Sequence, residues 1–232
     1  MHPPPAQSSV RLGQLMSVQV GRVQNLGTPG ADEPLHRPWR SAFFKSPIAG
    51  AATVTALGIA GDEQADNKHH GGADKAVLMY SSDHFVDWRN NFSLEGLAAG
   101  GFGENLTVRG FADPQVCIGD HLGIGTTILE ISQPREPCSN INRRWGRKGV
   151  TEAVAETGRG GWYARVLQVG TLEAGEEVVL LDRPFPALTV ASANDAAYGR
   201  ARVRAAVEAL LACPALTGTF KRRLAARLAQ LS

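Results

Sequence analysis

Apolar and polar residues alternate over residues 16–23, the spacing of a half-buried strand. Residues 46–60 read as extended, with alternation clearest at 52–57 before Gly61 and Asp62 break it. Residues 76–80 (AVLMY) are a continuous apolar run suited to a buried strand. Ser81 or Ser82 then caps a helix to about Asn90, with Phe85 and Trp88 on one face. Further strands are predicted over 105–108, 122–124, 127–131, 162–169 and 178–181, and a short helix over 151–156 with Thr151 as N-cap. Short strands at regular spacing with glycine turns define a barrel or a sandwich.

The pattern changes after Pro184 and Pro186. Val203, Val207, Leu210 and Leu211 recur at helical spacing, as do Phe220, Leu224, Leu228 and Leu231, with Pro214 and Gly218 between the two sets. A shorter helix is expected over 192–198. The sequence therefore predicts a mainly β domain over 15–186, a C-terminal three-helix domain over 187–232, and a flexible arm over 1–14. A unit as small as the helical one has little core of its own. Its apolar stripes need a covering surface, either the barrel or a second subunit in a homodimer.

Composition narrows the class. Of 232 residues 43% are hydrophobic, and no apolar run approaches the ~20 residues of a membrane helix, so no membrane role is expected. The first residues are rich in Pro and Ser without a signal-peptide pattern. With three cysteines, an odd number, the expectation is a cytoplasmic protein with reduced thiols. The net charge of +2 conceals a basic C-terminal segment, where residues 200–232 carry seven basic residues and one acidic. That tail suits a phosphate or nucleic-acid surface only weakly, because no aromatic side chains interleave with its basic ones for base stacking. The basic Arg222, Arg223 and Arg227 are expected to face solvent or an acidic electron-donor protein.

Three segments depart from generic barrel composition. Residues 61–75 (GDEQADNKHHGGADK) form a polar loop between two apolar runs. Gly71 and Gly72 let backbone amides approach a ligand, His70 offers a donor, and Lys75 a point charge for phosphate. Residues 101–106 (GFGENL) set Glu104 and Asn105 at the start of a strand. Residues 132–142 (SQPREPCSNIN) hold Cys138 in a proline-stiffened loop with Arg135 before it and Arg143 and Arg144 after. A cationic neighbourhood favours thiolate, the form that attacks or ligates a soft metal. Cys117 and Cys213 sit among apolar residues and read as core. Neither CxxC nor HExxH is present to mark a zinc site.

Taken in order, GDEQADNKHHGGADKAV, GFGENL, ISQPREPCSNIN and the closing GTLEAGEEVVLL resemble the MOSC family, named for the C-terminal domain of molybdenum cofactor sulfurase. The closest likeness is to its YiiM-type bacterial members, and it runs over residues 15–232. The resemblance implies a MOSC-type β-barrel with a few short helices and a three-helix appendage. It implies a molybdenum cofactor (molybdopterin) in a pocket at one rim, with Cys138 as catalytic residue and metal ligand. His70, Gly71, Gly72, Asp74 and Lys75 are the expected cofactor-binding residues of the first segment, Glu104 and Asn105 of the second, and Arg135, Asn142 and Arg143 of the third. The implied activity is reduction of N-hydroxylated compounds such as 6-N-hydroxylaminopurine, with Glu104, Asp74 or His70 relaying protons. YiiM-type sequences carry a lysine two residues after the cysteine. Here that position is Asn140, so its charge passes to Lys75, Arg143 or Arg144, and one basic wall of Lys75, Arg135 and one of Arg143 and Arg144 is expected.

Two spare cysteines cannot supply the four ligands of a 2Fe–2S cluster, so electrons must come from a separate reductase. No segment of this sequence resembles the pyridoxal phosphate domain of full-length sulfurases, so no pyridoxal chemistry is expected of it. The competing reading is a carrier that holds the cofactor, or a persulfide on Cys138, and passes it on without turnover.

Overall fold

A computed structural model describes residues 9–66, 71–200 and 203–230. The strands are β1 Val10–Val20, β2 Gln24–Leu26, β3 Trp39–Ser41, β4 Ser46–Pro47, β5 Ala52–Thr55, β6 Gly58–Ile59, β7 Val77–Ser81, β8 Leu106–Arg109, β9 His121–Ile124, β10 Thr127–Pro134, β11 Trp162–Gln168, β12 Gly170–Leu172 and β13 Glu177–Asp182. The helices are α1 Phe85–Phe92, α2 Asn140–Trp145, α3 Val150–Thr157, α4 Val190–Tyr198, α5 Arg204–Ala212 and α6 Gly218–Leu228.

Seven strands close a barrel in the order β13-β9-β10-β11-β7-β8-β1, with β1 pairing back to β13. All of these pairs are antiparallel except β7 with β8. Closure falls to β1, which pairs with β13, β8 and β4 in turn. Two register shifts, at Arg11/Gly13 and Leu15/Ser17, give it the bends that this requires. Residues 10–14, expected in the flexible arm, are thus barrel strand. Inside, Leu15, Val77, Met79, Leu106, Val108, Leu122, Leu129, Ile131 and Val178 form the core.

The 76–80 run is buried on both faces, as a continuous apolar stretch demands. Val77 and Met79 join the barrel core. Tyr80 faces a second core with Phe85, Trp88, Leu94, Leu97, Phe102, Ile141, Val150 and Val154. Trp88 Nε1 donates to Tyr80 Oη at 2.5 Å, and Tyr80 Oη donates to the Arg159 carbonyl at 3.1 Å. This outer core carries the glycine-rich 101–106 segment together with α2 and α3.

The C-terminal helices pack on the barrel. Val207, Leu210, Phe220 and Leu224 are buried in one continuous cluster with the barrel residues. The segment after the prolines pairs back as well, with Ile118 N bonding the Leu188 carbonyl and Val190 N the Val116 carbonyl, each at 2.8 Å. Thr217 caps α6 and donates its hydroxyl to Gln133 Oε1 at 2.6 Å. The stripe is shorter than its spacing suggested. Val203 precedes α5 and is 60% exposed, and Leu231 lies outside the described residues.

Several local expectations differ from the structure. Thr151 does not cap α3, whose N-cap is Gly149 in the left-handed region. Thr151 Oγ1 instead donates to the Cys138 carbonyl at 3.1 Å. Residues 140–145 form α2, which the polar sequence had not suggested because it buries only Ile141. Residues 170–172, for which no strand is predicted, pair with β5 as β12. Among the described residues no helix is long and apolar enough to cross a membrane.

Candidate functional site

A cavity of about 310 Å³ opens between the barrel and the outer core. Its walls come from residues 40–45, the 62–66 loop, Lys75, Leu78 on β7, Phe102 and Gly103, Asn105, the 135–140 segment and Tyr163 on β11. That volume is at the small end of ligand pockets.

Cys138 lines the cavity and is partly buried. Its backbone is fixed by two bonds to its carbonyl, one from Thr151 Oγ1 and one from Ile141 N at 3.0 Å. Cys117 and Cys213 are each 2% exposed and packed in the interior, where burial pushes the Cys117 thiol up.

Arg135 is only 3% exposed and also lines the cavity. Its Nη2 reaches the Phe102 carbonyl at 3.4 Å, and its guanidinium lies 5.8 Å from the Phe43 ring centre. Its Nε and Nη1 are buried with no hydrogen-bond partner among the described residues. A buried donor left unpaired costs of order 1–3 kcal/mol, so this arrangement calls for an acceptor in the cavity. Lys75 stands 5.7 Å over the Tyr163 ring, and burial lowers its pKa. Burial pushes the Tyr163 hydroxyl up.

Lys45 forms the floor with Asp62. The two are ion-paired with side chains 7% and 3% exposed. Asp62 also accepts from Gly21 N and from Asn105 Nδ2, both at 2.8 Å. Burial drives the Lys45 pKa down, while Asp62 pulls it up. Lys45, Arg40, Asp62 and Tyr163 were not singled out as site residues from sequence. For Lys45 a signal existed: a lone cation follows Phe43 and Phe44 and precedes Pro47 in an otherwise apolar stretch.

The remaining expected residues divide. Asn105 lines the cavity, and its side chain ties β7 to the Asp62 loop by accepting from Leu78 N at 3.1 Å. Glu104 does not reach the cavity. It is fully buried and accepts from Gly100 N at 2.8 Å, Phe102 N at 3.0 Å and Thr107 Oγ1 at 2.9 Å. It fastens the glycine turn, and burial raises its pKa. Gly103 needs its glycine, since φ is +77° and a Cβ would stand 3.1 Å from the Phe43 ring. Gly72 precedes the 73–75 turn with open space around it, and neither it nor Gly71 lines the cavity.

Asp74 points away. Its carboxylate pairs with Arg165 at 2.7 Å, and its carbonyl accepts from Ser132 Oγ at 2.6 Å, which pins the turn carrying Lys75. Asn142 accepts from Thr151 N at 2.8 Å and holds the start of α3. Arg143 lies over the Trp39 ring at 5.3 Å and Arg144 over Phe44 at 4.6 Å, so neither builds the expected basic wall. In the cavity that wall is Lys75, Arg135, Lys45 and Arg40. His70 lies outside the described residues.

A closed seven-stranded barrel with a cysteine- and arginine-lined cavity beside it and three helices packed on its wall is the architecture of one class of protein. Residues 66–179 match the family model described as "MOSC domain", and residues 188–231 the model described as "YiiM-like, 3-alpha helix domain". The chain belongs to the MOSC family, on its YiiM-like side. It is 35% identical over 197 residues to "Uncharacterized protein YflK" of Bacillus subtilis, covering 85% of this chain and 89% of that one. It is 36% identical over 181 residues to a protein named "Reductase" from Gibberella moniliformis. That match covers 77% of this chain but only 31% of the fungal protein. The crystal structure of YiiM from Geobacillus stearothermophilus superposes with a TM-score of 0.76 at 32% identity, over 93% of this chain and 98% of that one.

Proposed function

We propose that this protein is a molybdenum-cofactor-binding oxidoreductase that reduces N-hydroxylated compounds, 6-N-hydroxylaminopurine among them, with electrons from a separate reductase. The observation that carries this reading is Arg135, which lines the same cavity as Cys138 and whose Nε and Nη1 are buried with no hydrogen-bond partner among the described residues. An anionic group that also accepts a thiolate answers both. Molybdopterin has that chemistry, a phosphate at one end and a thiophilic metal at the other, so the donor set fits it.

When bound, the cofactor supplies the two-electron, oxygen-accepting centre. The net reaction is R–NHOH plus two electrons and two protons giving R–NH₂ and water. The chain's own part is to hold, shield and protonate. Cys138 Sγ is the metal ligand. Arg135 Nε and Nη1 would donate to the phosphate, and Lys75 would add positive charge around it, while Lys45 is neutralised by Asp62. Phe43, Phe102 and Leu78 keep that side of the cavity dry. Lys75 Nζ holds a proton at the wall, and the downward pull of burial brings its pKa closer to a working pH. Glu104 and Asp74 leave the proton-relay role, the first sealed behind the glycine turn and the second tied up by Arg165.

The test is turnover of 6-N-hydroxylaminopurine by cofactor-loaded protein with dithionite-reduced methyl viologen. Stoichiometric molybdenum and pterin with reduction to adenine supports the enzyme. The same loading without reduction makes the protein a cofactor carrier, and no loading removes both cofactor readings and leaves only the persulfide carrier.

A further inference from the structure

The positive charge of this chain is concentrated on two segments that bracket the Cys138 loop. Residues 135–148 and 217–230 together carry nine basic side chains and one acidic one, Glu136. That is a formal +8 against +2 for the whole chain, so the remainder carries −6. In sequence the two segments are far apart. In the fold α6 meets the Cys138 loop directly, because Arg223 Nη1 pairs with Glu136 Oε1 at 2.8 Å. Glu136 precedes Cys138 by two residues and α2 begins two residues after it. Two residues span at most ~7 Å, so both basic elements reach the rim of the cavity.

Part of this charge is spent within the chain. Glu136 answers Arg223, and Glu33 answers Lys148 at 3.0 Å. Arg223 also lies 4.4 Å from the Tyr198 ring centre, so it is less available than its place in the tail suggested. Arg143, Arg147, Lys221 and Arg222 have no ion pair among the described residues, and Arg147 and Arg222 are exposed. The α2 and α6 segments stay strongly basic even though Asp62, Glu63 and Asp66 also line the cavity, and a basic face beside a reaction centre steers an oppositely charged partner to it.

We infer that the face formed by α2 and α6 docks an acidic one-electron carrier protein, of the flavodoxin or 2Fe–2S ferredoxin kind, and places its redox centre beside the Cys138 loop. The inference rests on the proposed reductase reading, in which two electrons per N–OH must arrive from outside, one from each of two dockings. Three cysteines, two of them buried in the core, leave the chain no cluster of its own to supply them. A single-stranded nucleic acid is the less suited occupant. Trp39, Phe44 and Trp145 lie beside this face, but each is already covered by a guanidinium at 5.3, 4.6 and 5.2 Å, so no ring is offered to a base.

The experiment compares wild type with the double variant Arg147→Glu/Arg222→Glu, neither residue lining the cavity. Loaded protein is assayed with reduced methyl viologen and, separately, with a reduced bacterial flavodoxin and a reduced 2Fe–2S ferredoxin. Binding of both carriers is also measured by calorimetry at low and high salt, which requires no turnover. The expected result is binding of at least one carrier that weakens with salt. In the double variant its affinity and carrier-driven kcat/KM should fall by about tenfold or more, with viologen-driven kcat/KM unchanged. Equal loss with viologen, no effect of the charge reversals, or no binding of either carrier would overturn the inference. So would a poly-dT oligonucleotide that binds this face more tightly than either carrier. Absence of viologen-driven turnover would count against the reductase reading alone, and calorimetry would still decide the docking.

Discussion

Replacing Lys45 by Met strands Asp62. The pair is nearly sealed, with side chains 7% and 3% exposed, so solvent screens it little. At a contact of ~3 Å and an effective dielectric of ~20, two unit charges attract by about 5 kcal/mol. Methionine fills similar volume, and Asp62 keeps its bonds from Gly21 N and Asn105 Nδ2. The net cost should therefore lie near the lower end of the ~3–5 kcal/mol found when one partner of a buried pair is removed. For a chain of this length, ~3 kcal/mol is a Tm lower by about 6–12 °C in a calorimetric scan of the apo protein.

The pH dependence gives a second reading of the same variant. Burial holds the folded pKa of Lys45 below its ordinary 10.5. Between those two values the unfolded chain binds more protons at this site than the folded one, so folding is favoured as pH rises. The stability that this site contributes is complete above 10.5 and is lost as pH falls through the depressed folded value. The stability gap between wild type and Lys45→Met should therefore widen from pH 7 towards pH 10. A Tm loss under about 2 °C would refute the cost assigned to stranding Asp62, and a gap that narrows with pH would show that Asp62 outweighs burial at Lys45.

Three further outcomes follow from the geometry. Arg135→Leu removes two orphaned donors, so apo stability should hold or rise by about 1 kcal/mol while bound pterin phosphate falls sharply; parallel loss of both by denaturant melts and pterin fluorescence would contradict its role as an anion holder. Gly103→Ala forces a Cβ against Phe43 at a left-handed φ and should cost of order 1–3 kcal/mol in urea melts, whereas an unchanged midpoint would show that the turn relaxes freely. Ending the chain after Pro186 strips Val207, Phe220 and Leu224 from the common core, so the barrel alone should aggregate; a monodisperse truncated protein by light scattering would show that the helices are dispensable for folding.

The barrel was legible because its strands carry their burial in plain spacing. The unbroken 76–80 run is the two-faced β7, and the Phe220/Leu224 stripe is the inward face of α6. The site was legible in part. Cys138 stood out because its neighbours are polar and proline-bound while Cys117 and Cys213 sit among apolar residues. It lines the cavity, and they do not. Glu104 misled for a physical reason: an acid beside glycines reads as a ligand, whereas here the carboxylate collects the amides of its own turn. Asn142 did the same service for α3 from ten residues upstream of Glu152, which no local pattern announces. Lys45 and Asp62 meet only through the closure of residues 21–62 on β8, a long-range pairing that spacing cannot encode.

The most direct test of the account is X-ray absorption at the molybdenum edge, comparing protein purified from a cofactor-proficient host as wild type and as Cys138→Ser. A thiolate from Cys138 predicts a wild-type spectrum with one more sulfur neighbour than the dithiolene alone supplies, and loss of that neighbour, or of the metal altogether, in the variant. Identical sulfur coordination at full molybdenum loading in both proteins would contradict it.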